Sequence, residues 1–282
     1  MKNILPVLHS AVAIMTPLLF AATGGLFSEL AGILNIALEG LLLMGAFAAI
    51  AAAYYTGSFS AALVLAILAS LALSALLAFS TLKLRSNVFI AGLAVNLFAG
   101  GMTVVLSQYL FGTRGVVVLR GINNLSITEI RLYVLASLLL LIAAWAAIFK
   151  TPFGYRLRAC SKHSAALASL GLRPDSYRCA ALLISGFFCG IGGAFLSLNL
   201  GAFVPGMTAG KGWIALVIIF LGGRRPMGIL AAAFVFGLAE ALSNYAQGAN
   251  IVPADFILAM PYLFTFAAMV VVSIVAKRKN QG

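Results

Sequence analysis

Acidic residues are scarce in this sequence: six Asp and Glu stand against eighteen Lys and Arg, and charged residues make up only 9% of the 282 positions. Hydrophobic residues account for 63%, and the mean hydropathy is +1.12. A soluble domain of this length could not bury so much apolar surface. The scarcity of charge therefore excludes a soluble globular protein and predicts an all-α polytopic membrane protein.

Residues for catalysis or metal binding are equally scarce. The chain has three cysteines and two histidines, scattered over unrelated segments. Cys179 and Cys189 would lie roughly 15 Å apart along one helix, which is too far for a disulfide. The motif G-x-x-x-x-G-K followed by Ser or Thr, which holds ATP phosphates, is absent from the sequence. We expect no catalytic residue, no metal site and no cofactor in this chain, and the absence of a His, Asp and Cys constellation disfavours a membrane-embedded enzyme.

The basic residues occur in short clusters between the apolar runs. A net charge of +12 often indicates a nucleic-acid partner, but such partners need a continuous basic face. Clusters that alternate with apolar spans instead follow the positive-inside pattern, which places them in the cytoplasm. We therefore expect membrane lipid around the chain and no nucleic acid. The clusters are Lys83/Arg85, Lys150–Arg178, Arg224/Arg225 and Lys277–Lys279.

The apolar runs predict about nine transmembrane helices, within a range of eight to ten. The chain is taken as one transmembrane domain over residues 1–282, with an N-terminal span block (1–149), a cytoplasmic loop (150–178) and a C-terminal span block (179–282). Nine spans place the N-terminus outside. A further segment hidden between Gly24 and Tyr55 would make ten and place it inside. The predicted spans are Met1–Thr23, a run ending near Tyr55, Ala61–Leu82, Val88–Phe111, Leu132–Phe149, Cys179–Leu200, Trp213–Leu221, Met227–Tyr245 and Asp255–Val275.

Two of these regions have unusual lengths or spacings. Trp213–Leu221 is too short to cross a bilayer, so we expect a tilted or broken helix that lines a cavity or lies within protein. In the preceding span, Gly186, Gly190 and either Gly193 or Ala194 give the small-xxx-small spacing that permits close helix packing. The segments Gly112–Arg131 and Gly201–Gly212 are predicted to be external loops.

Polar side chains inside the apolar runs are the candidates for a solute pathway. Such groups are costly at membrane depth and normally face a bundle interior or a water-filled path. Asn35 and Glu39 have the spacing of one helix face, although an interfacial turn is the alternative. Glu240 and Asn244, followed by Gln247, share a face of a later span, with an internal hydrogen-bond cluster as the alternative. Asn96 is also a candidate residue of the solute pathway, although helix–helix hydrogen bonding also accounts for a lone asparagine.

The longest polar passage, Lys150–Arg178, holds a predicted short helix. Ser161 is the expected N-cap, residues 165–170 form an apolar body, and Gly171 stands at the C′ position with Pro174 beyond it. Its small, Ala-rich face would fit a groove on another protein. The alternative is a plain cytoplasmic loop that touches only lipid headgroups.

Three passages resemble a known family. GLFSELAGILNIALEGLLLMGAFAA (residues 25–49) is similar to the N-terminal signature of permeases from bacterial ABC importers of the branched-chain amino acid, simple sugar and nucleoside type. GKGWIALVIIFLGGRRPMGILAAAFVFGLAEAL (residues 210–242) resembles their second signature, and GYRLRACSKHSAALASLGL (residues 154–172) resembles their cytoplasmic segment. The order of the three passages also matches. Two departures are Ser161–His163, where relatives more often carry G-x-N or G-E-N, and the pair Arg224 and Arg225.

The resemblance implies an alternating-access permease in the bacterial cytoplasmic (inner) membrane. Its expected partners are an ABC ATPase subunit, a second permease subunit (the same chain or a relative), an extracytoplasmic solute-binding protein and a small-molecule substrate. It implies a cavity or gate role for Asn35, Glu39 and Glu240. It also implies an ATPase-coupling role for seven residues of the cytoplasmic helix, namely Ser164, Ala165, Ala166, Leu167, Ser169, Leu170 and Gly171.

The substrate and the energy source leave alternatives open. The charge-poor spans favour a neutral, partly aromatic solute such as a nucleoside, with riboflavin or a simple sugar as the alternative. A stand-alone secondary transporter is the rival from another class, because Glu39 and Glu240 could couple transport to ions. The docking-type cytoplasmic helix favours the ATP-driven importer.

Overall fold

The computed structural model of the protein describes residues 4–119 and 125–248. Within these ranges it consists of ten α-helices and two short strands. Seven helices, α1–α5, α8 and α10, are long and apolar enough to cross a membrane. The elements are α1 (Ile4–Leu30), α2 (Leu38–Thr56), α3 (Phe59–Ala78, continued by a π-helical turn Phe79–Lys83), α4 (Val88–Phe111), β1 (Val117–Val118), α5 (Ile127–Lys150), α6 (Pro152–Lys162), α7 (Ser164–Ser169), α8 (Pro174–Leu200), β2 (Ala202–Phe203), α9 (Lys211–Leu221) and α10 (Pro226–Gly248).

This architecture confirms an all-α, multi-pass membrane protein. The short apolar run predicted around Trp213 is α9, a helix of only 11 residues. The count of nine spans stays a prediction, because the proposed last span, Asp255–Val275, lies outside the described residues.

Contacts between distant segments define two opposite faces of the helix bundle. At one face, Arg224 after α9 pairs with Glu29 at the end of α1, at 2.7 Å. At the other face, β1 and β2 form an antiparallel pair, with Val117 opposite Phe203. The two segments predicted as external loops therefore meet. Arg158 and Lys162 lie near Glu29 and Arg224 at the first face, which the positive-inside pattern predicts to be cytoplasmic, and we call it the cytoplasmic face.

The centre of the bundle is built around α8, which packs closely against α2 and α3. A Cβ atom at Gly190 would lie 2.7 Å from the Cα of Ile67 on α3, and one at Gly186 would lie 2.7 Å from the Cβ of Ser74. A Cβ at Gly193 would overlap the carbonyl of Leu42 on α2. The small-residue spacing thus does what the sequence predicted: it permits direct backbone contact between helices.

The junction of the first two spans differs from the prediction. α1 continues through Leu30, residues 31–37 are not helical, and α2 begins at Leu38. Asn35 and Glu39 therefore do not share a helix face, and the hypothesis of an extra span between Gly24 and Tyr55 is wrong. Residues 24–30 lengthen α1 although they begin with two glycines, because Gly24 packs closely on α8, where a Cβ would lie 2.7 Å from Phe188 Cβ. This leaves a short connection, residues 31–37, which we call the α1–α2 break.

The cytoplasmic loop also differs in detail. α6 runs through Ser161, so Ser161 is not the N-cap of the short helix; His163 occupies that position without a side-chain cap bond. Thr151 explains the difference, because its hydroxyl accepts a hydrogen bond from Gly154 N and, with Pro152 in the first turn, starts a helix earlier than predicted. Gly171 is at C′ as predicted, with φ +75°, and Leu172 N donates to Leu167 O in a Schellman arrangement.

Candidate functional site

The α1–α2 break is an irregular but well-bonded segment inside the protein. Asn35 is 1% exposed, and its Nδ2 donates to Ser185 Oγ on α8 at 2.8 Å. Its Oδ1 accepts from Ala37 N at 3.1 Å. Non-helical backbone at membrane depth is tolerated only where protein or a cavity satisfies its polar groups. Asn35 supplies part of that satisfaction.

Asn96 on α4 closes the other side of the same break. Its Oδ1 accepts from Gly40 N at 2.8 Å, and its Nδ2 donates to Ile36 O at 2.9 Å. The amide thus satisfies one free N–H at the start of α2 and one carbonyl that no helix uses. Gly40 permits this approach, because a Cβ there would lie 2.9 Å from Asn96 Oδ1.

Glu39 in the first turn of α2 binds the N-terminus of α9. One carboxylate oxygen accepts from Gly210 N at 2.9 Å and the other from Gly212 N at 2.7 Å. The first N–H groups of a helix have no partner within the helix, and its N-terminus carries partial positive charge. Glu39 therefore caps α9 from another helix while it also stands at the positive end of α2.

This cap lies at membrane depth. α9 has 11 residues, which corresponds to about 16 Å of helix between its N-terminus and the cytoplasmic Arg224 side. That is about half of a hydrocarbon core of about 30 Å. For a helix along the bilayer normal, this length predicts that the start bound by Glu39 lies near the middle of the bilayer, where discontinuous helices of transporters bind polar groups.

Lys211, between the two glycines, binds a different helix. Its Nζ lies 2.7 Å from Glu240 Oε1 on α10, and the two side chains are 12% and 23% exposed. Opposite charges at membrane depth normally pair in this way. Asn244, one turn further along α10, is exposed and stands apart from these contacts.

The structure therefore groups four of the five predicted pathway residues around two helix ends. Asn35 and Asn96 hold the α1–α2 break, Glu39 holds α9, and Glu240 reaches the same place through Lys211. Their pathway role stays a prediction. The geometry assigns them bonds within the protein in this state.

The sequence analysis missed Lys211 and Ser185. A lone lysine inside an apolar passage was a usable signal, because an intramembrane cation needs a partner and Glu240 was already a candidate. Ser185 gave no signal of its own, since serines are common in packed transmembrane helices.

A second candidate region is the short cytoplasmic helix α7. Leu167 is 5% exposed and anchors the helix to the bundle, whereas Leu170 is 75% exposed. Ala165, Ala166, Ala168 and Ser169 are exposed as well, and Ser164 is half-buried. An outward face of small residues with one protruding leucine is suited to a groove of a partner protein.

α6 attaches α7 to the rest of the molecule. Arg178 on α8 donates to Cys160 O at 3.2 Å, and Arg156 donates to the hydroxyl of Tyr177 at 3.2 Å. Cys160 is fully buried, and this burial raises the pKa of its thiol, although the nearby Arg178 partly opposes the shift. The thiol is therefore less reactive than an exposed one.

A cavity of about 890 Å³ opens beside α6 at the cytoplasmic face. It lies between the end of α1, the first half of the break, α6 and the end of α9. Basic groups dominate its charged lining, with Arg158 and Lys162 present in addition to the Glu29–Arg224 ion pair. The wall residues are Glu29, Leu30, Gly32, Leu34, Tyr155, Arg158, Ala159, Ser161, Lys162, His163, Phe220 and Arg224.

Comparison with known proteins gives relatives over nearly the whole chain. It is 31% identical to the nucleoside ABC transporter permease protein NupC of Lactococcus lactis, over 95% of this chain and 93% of the relative. It is 29% identical to the guanosine ABC transporter permease protein NupQ of Bacillus subtilis, over 90% and 87% of the two chains.

Solved structures share the fold at low sequence identity. One, assigned to the metal-chelate type of ABC transporter and solved in an inward-facing conformation, superposes with a TM-score of 0.59 at 17% identity, over 96% of this chain and 85% of that one. Another, PsaBC of Streptococcus pneumoniae, gives a TM-score of 0.57 at 11% identity, over 92% and 89%. Seven apolar spans and these relatives make the chain a multi-pass protein of the bacterial inner membrane.

The family model for the branched-chain amino acid transport system / permease component matches residues 7–273, nearly the full length. This match agrees with the resemblance seen in the two signatures around Glu39 and Glu240. The protein therefore belongs to the family of branched-chain amino acid transport system permease components.

Proposed function

We propose that this chain is the membrane-spanning permease subunit of an ATP-driven importer for nucleosides. The observation that carries the proposal is the pairing of two features in one chain: a broken helix, α9, capped at membrane depth by Glu39, and a protruding cytoplasmic helix, α7. The first is suited to a gated path and the second to a motor on the cytoplasmic side.

ATP hydrolysis belongs to a separate subunit in this proposal. The sequence contains no phosphate-binding loop of the G-x-x-x-x-G-K type, so the chain must receive the energy of ATP through a contact. α7 supports such a contact, because Leu167 fixes it from below while Leu170 and the alanines face outwards. The coupling residues Ser164, Ala165, Ala166, Leu167, Ser169, Leu170 and Gly171 retain this proposed role.

The other partners follow from the architecture of an importer. A second permease subunit, either a copy of this chain or a relative, would complete the path. A solute-binding protein would deliver substrate to the external face, where the β1–β2 pair joins the two external loops. The pairing gives that face a defined shape, with Phe203 fully buried beneath it.

A nucleoside is the substrate that the relatives of this chain favour. NupC and NupQ are named for nucleosides and for guanosine, and each aligns with about nine tenths or more of this chain. The charged groups near the α9 N-terminus are already bound within the protein, Glu39 by backbone N–H groups and Lys211 by Glu240, which suits a neutral solute better than a charged amino acid. Riboflavin remains an expectation from the sequence.

A simple sugar is the second candidate. The chain is 29% identical to TsgC13 of Haloferax volcanii, a relative named as a glucose ABC transporter permease protein, over 86% of this chain. Sugars and nucleosides share ribose-like hydroxyl groups, and the same polar residues could bind either. The experiment must therefore include both.

The substrate test is a competition assay with the whole transporter. This chain is co-expressed with its neighbouring transporter genes, reconstituted in proteoliposomes with ATP inside, and supplied with the solute-binding protein and labelled guanosine. We expect uptake that unlabelled inosine or uridine reduces and that glucose and riboflavin leave unchanged. Uptake suppressed by glucose alone would favour the sugar transporter, and an ATP-hydrolysing complex indifferent to all four would refute the nucleoside assignment.

A further inference from the structure

Three consecutive residues connect the N-terminus of α9 to two other helices. Gly210 and Gly212 donate their backbone N–H groups to Glu39 on α2, while the side chain of Lys211 pairs with Glu240 on α10. We call Glu39, Gly210, Lys211, Gly212 and Glu240 the α9 lock. Its members connect three separate helices.

Backbone contact between α9 and α2 supports the same conclusion independently of the hydrogen bonds. A Cβ atom at Gly212 would overlap Glu39 N, and it would lie 2.7 Å from the carbonyl carbon of Leu38. The two helix starts therefore touch without an intervening side chain. Any side chain at position 212 would force them apart.

The α1–α2 break joins the α9 lock to the cytoplasmic segment. Gly32, near the start of the break, has φ +84°, and a Cβ there would lie 3.0 Å from the Cα of Ser161 on α6. Asn35 and Asn96 then fix the middle and the end of the break. Glu39 follows directly in the first turn of α2, so only the seven residues 31–37 separate α1 from the helix that carries Glu39.

We propose that Glu39 is a positioning residue that makes α9 follow α2, so that displacement of the α6–α7 segment reaches α9 through the α1–α2 break. The inference rests on the proposed function and adds the internal route by which ATP-driven movement would reach the solute path. Glu39 acts here through backbone N–H groups of α9 and not through contact with substrate.

The length of α9 explains why it needs such a residue. A helix of 11 residues that begins inside the membrane presents unpaired N–H groups at its start. Two of these N–H groups donate charge-assisted hydrogen bonds to the carboxylate of Glu39.

The test measures movement of α9 in the assembled transporter, without any solute. Spin labels are placed at Trp213→Cys on α9 and Leu139→Cys on α5, both exposed positions, after the native cysteines are replaced by alanine. The distance between the labels is recorded with and without ATP and vanadate. We expect a nucleotide-dependent shift in the otherwise unchanged transporter and loss of that shift in Glu39→Gln, with ATP hydrolysis retained.

Glu129→Gln is the matched control. Glu129 also accepts a hydrogen bond from a backbone N–H, Ser126 N at 2.7 Å, but it belongs to an exposed capping box at the start of α5. This variant removes a similar charge-assisted bond and leaves the α9 lock intact. It should retain the full nucleotide-dependent shift.

Hydrogen exchange tests the lock itself on the same complexes. In Glu39→Gln, the peptide that contains Gly210 and Gly212 should exchange about tenfold faster or more, as expected for the loss of a charge-assisted hydrogen bond. Exchange in Glu129→Gln should match the unsubstituted protein. Unchanged exchange in Glu39→Gln would overturn the lock.

Gly212→Ala provides a second, uncharged variant. Its methyl group separates α9 from α2 while every charge is kept, so we expect the same loss of the shift. Gly100→Ala on α4 is its control, because a Cβ there meets no atom within 4 Å. If Gly212→Ala does not fold, the label distance and the hydrogen exchange of Glu39→Gln decide whether the positioning role holds.

Two outcomes separate this inference from the proposed function. A complex that hydrolyses ATP and shows the full shift in Glu39→Gln would refute the positioning role and leave the permease proposal standing. A complex without ATPase activity would refute the proposed function, and the route to α9 with it.

Discussion

Lys211 Nζ and Glu240 Oε1 lie 2.7 Å apart, and both side chains are largely shielded from solvent. The pair joins the start of α9 to α10 within the membrane-spanning part of the molecule. Glu240 was already a candidate pathway residue from the sequence, whereas Lys211 was overlooked there.

Removal of one member of this pair should destabilise the protein more than removal of both. Lys211→Met leaves Glu240 without its partner, and Glu240→Gln does the same to Lys211; an unpaired, mostly buried charge costs about 3–5 kcal/mol. We expect a lower midpoint of thermal unfolding in detergent for each single variant and partial recovery in the double variant. Additive losses would show that the two side chains do not interact.

The ion pair of Glu29 and Arg224 should respond asymmetrically to substitution. Glu29 is 12% exposed at its side chain and Arg224 is 54% exposed. Arg224→Gln leaves a largely buried carboxylate without a partner, whereas Glu29→Gln leaves an arginine that solvent already reaches. We expect a larger loss of thermal stability from Arg224→Gln. Equal losses would indicate that burial does not set the cost.

Two leucines of α7 should separate docking from folding. Leu170 is 75% exposed, so Leu170→Asp should leave thermal stability nearly unchanged while it reduces recovery of the ATPase subunit in co-purification. Leu167 is 5% exposed, and Leu167→Ala should lower stability by about 2–4 kcal/mol. Ala168→Ser, a small change on the exposed face, is the control for Leu170→Asp. Full ATPase recovery with Leu170→Asp would argue against docking through α7.

The α8 glycines should tolerate no side chain. A Cβ at Gly190 would lie 2.7 Å from the Cα of Ile67, so Gly190→Leu should force α3 and α8 apart and reduce folded yield. Gly101→Leu on α4 is the matched control, since nothing lies within 4 Å of a Cβ there. Size-exclusion chromatography in detergent reports the folded fraction. Similar yields for the two variants would contradict the close packing.

Cys160 should react slowly with alkylating reagents because burial raises the pKa of its thiol. In a variant without Cys179 and Cys189, the midpoint of the pH profile of alkylation should lie at a higher pH than that of an ordinary thiol. The raised pKa also sets the direction of the effect on stability. The buried thiol favours the folded state while it is protonated, and this contribution declines as pH rises above about 8.5. Rapid alkylation at neutral pH would contradict this. Ser161→Cys, an exposed neighbour, supplies the reactive reference.

The sequence predicted the class, the short helix α9 and the short helix α7 because each depends on local composition. The run at Trp213 is visibly short, and Gly171 marks the end of α7. The α1–α2 break was not predictable in the same way, because Asn35 and Glu39 have helical spacing whether or not a helix joins them. The groups that hold the break come from distant helices: Asn96 binds backbone groups of Ile36 and Gly40 in place of helical hydrogen bonds, and Ser185 accepts a hydrogen bond from the side chain of Asn35.

The prediction that Ser161 is an N-cap was wrong for a related reason. Serine is a common N-cap, but Thr151 and Pro152 begin a helix earlier, and the same serine then lies inside it. The hydrogen bonds between Glu39 and the start of α9 join residues about 170 positions apart in sequence. Local periodicity cannot relate positions that are so distant.

The central claim is that ATP drives this permease, and one uptake measurement tests it most directly. Labelled guanosine uptake is measured in cells that carry the transporter, with and without the neighbouring ATPase gene, and with an uncoupler that abolishes the proton gradient while ATP is maintained. We predict that uptake is lost without the ATPase gene and persists with the uncoupler. Uptake that persists without the ATPase and collapses with the uncoupler would contradict the account, and would point instead to a secondary transporter that uses Glu39 and Glu240.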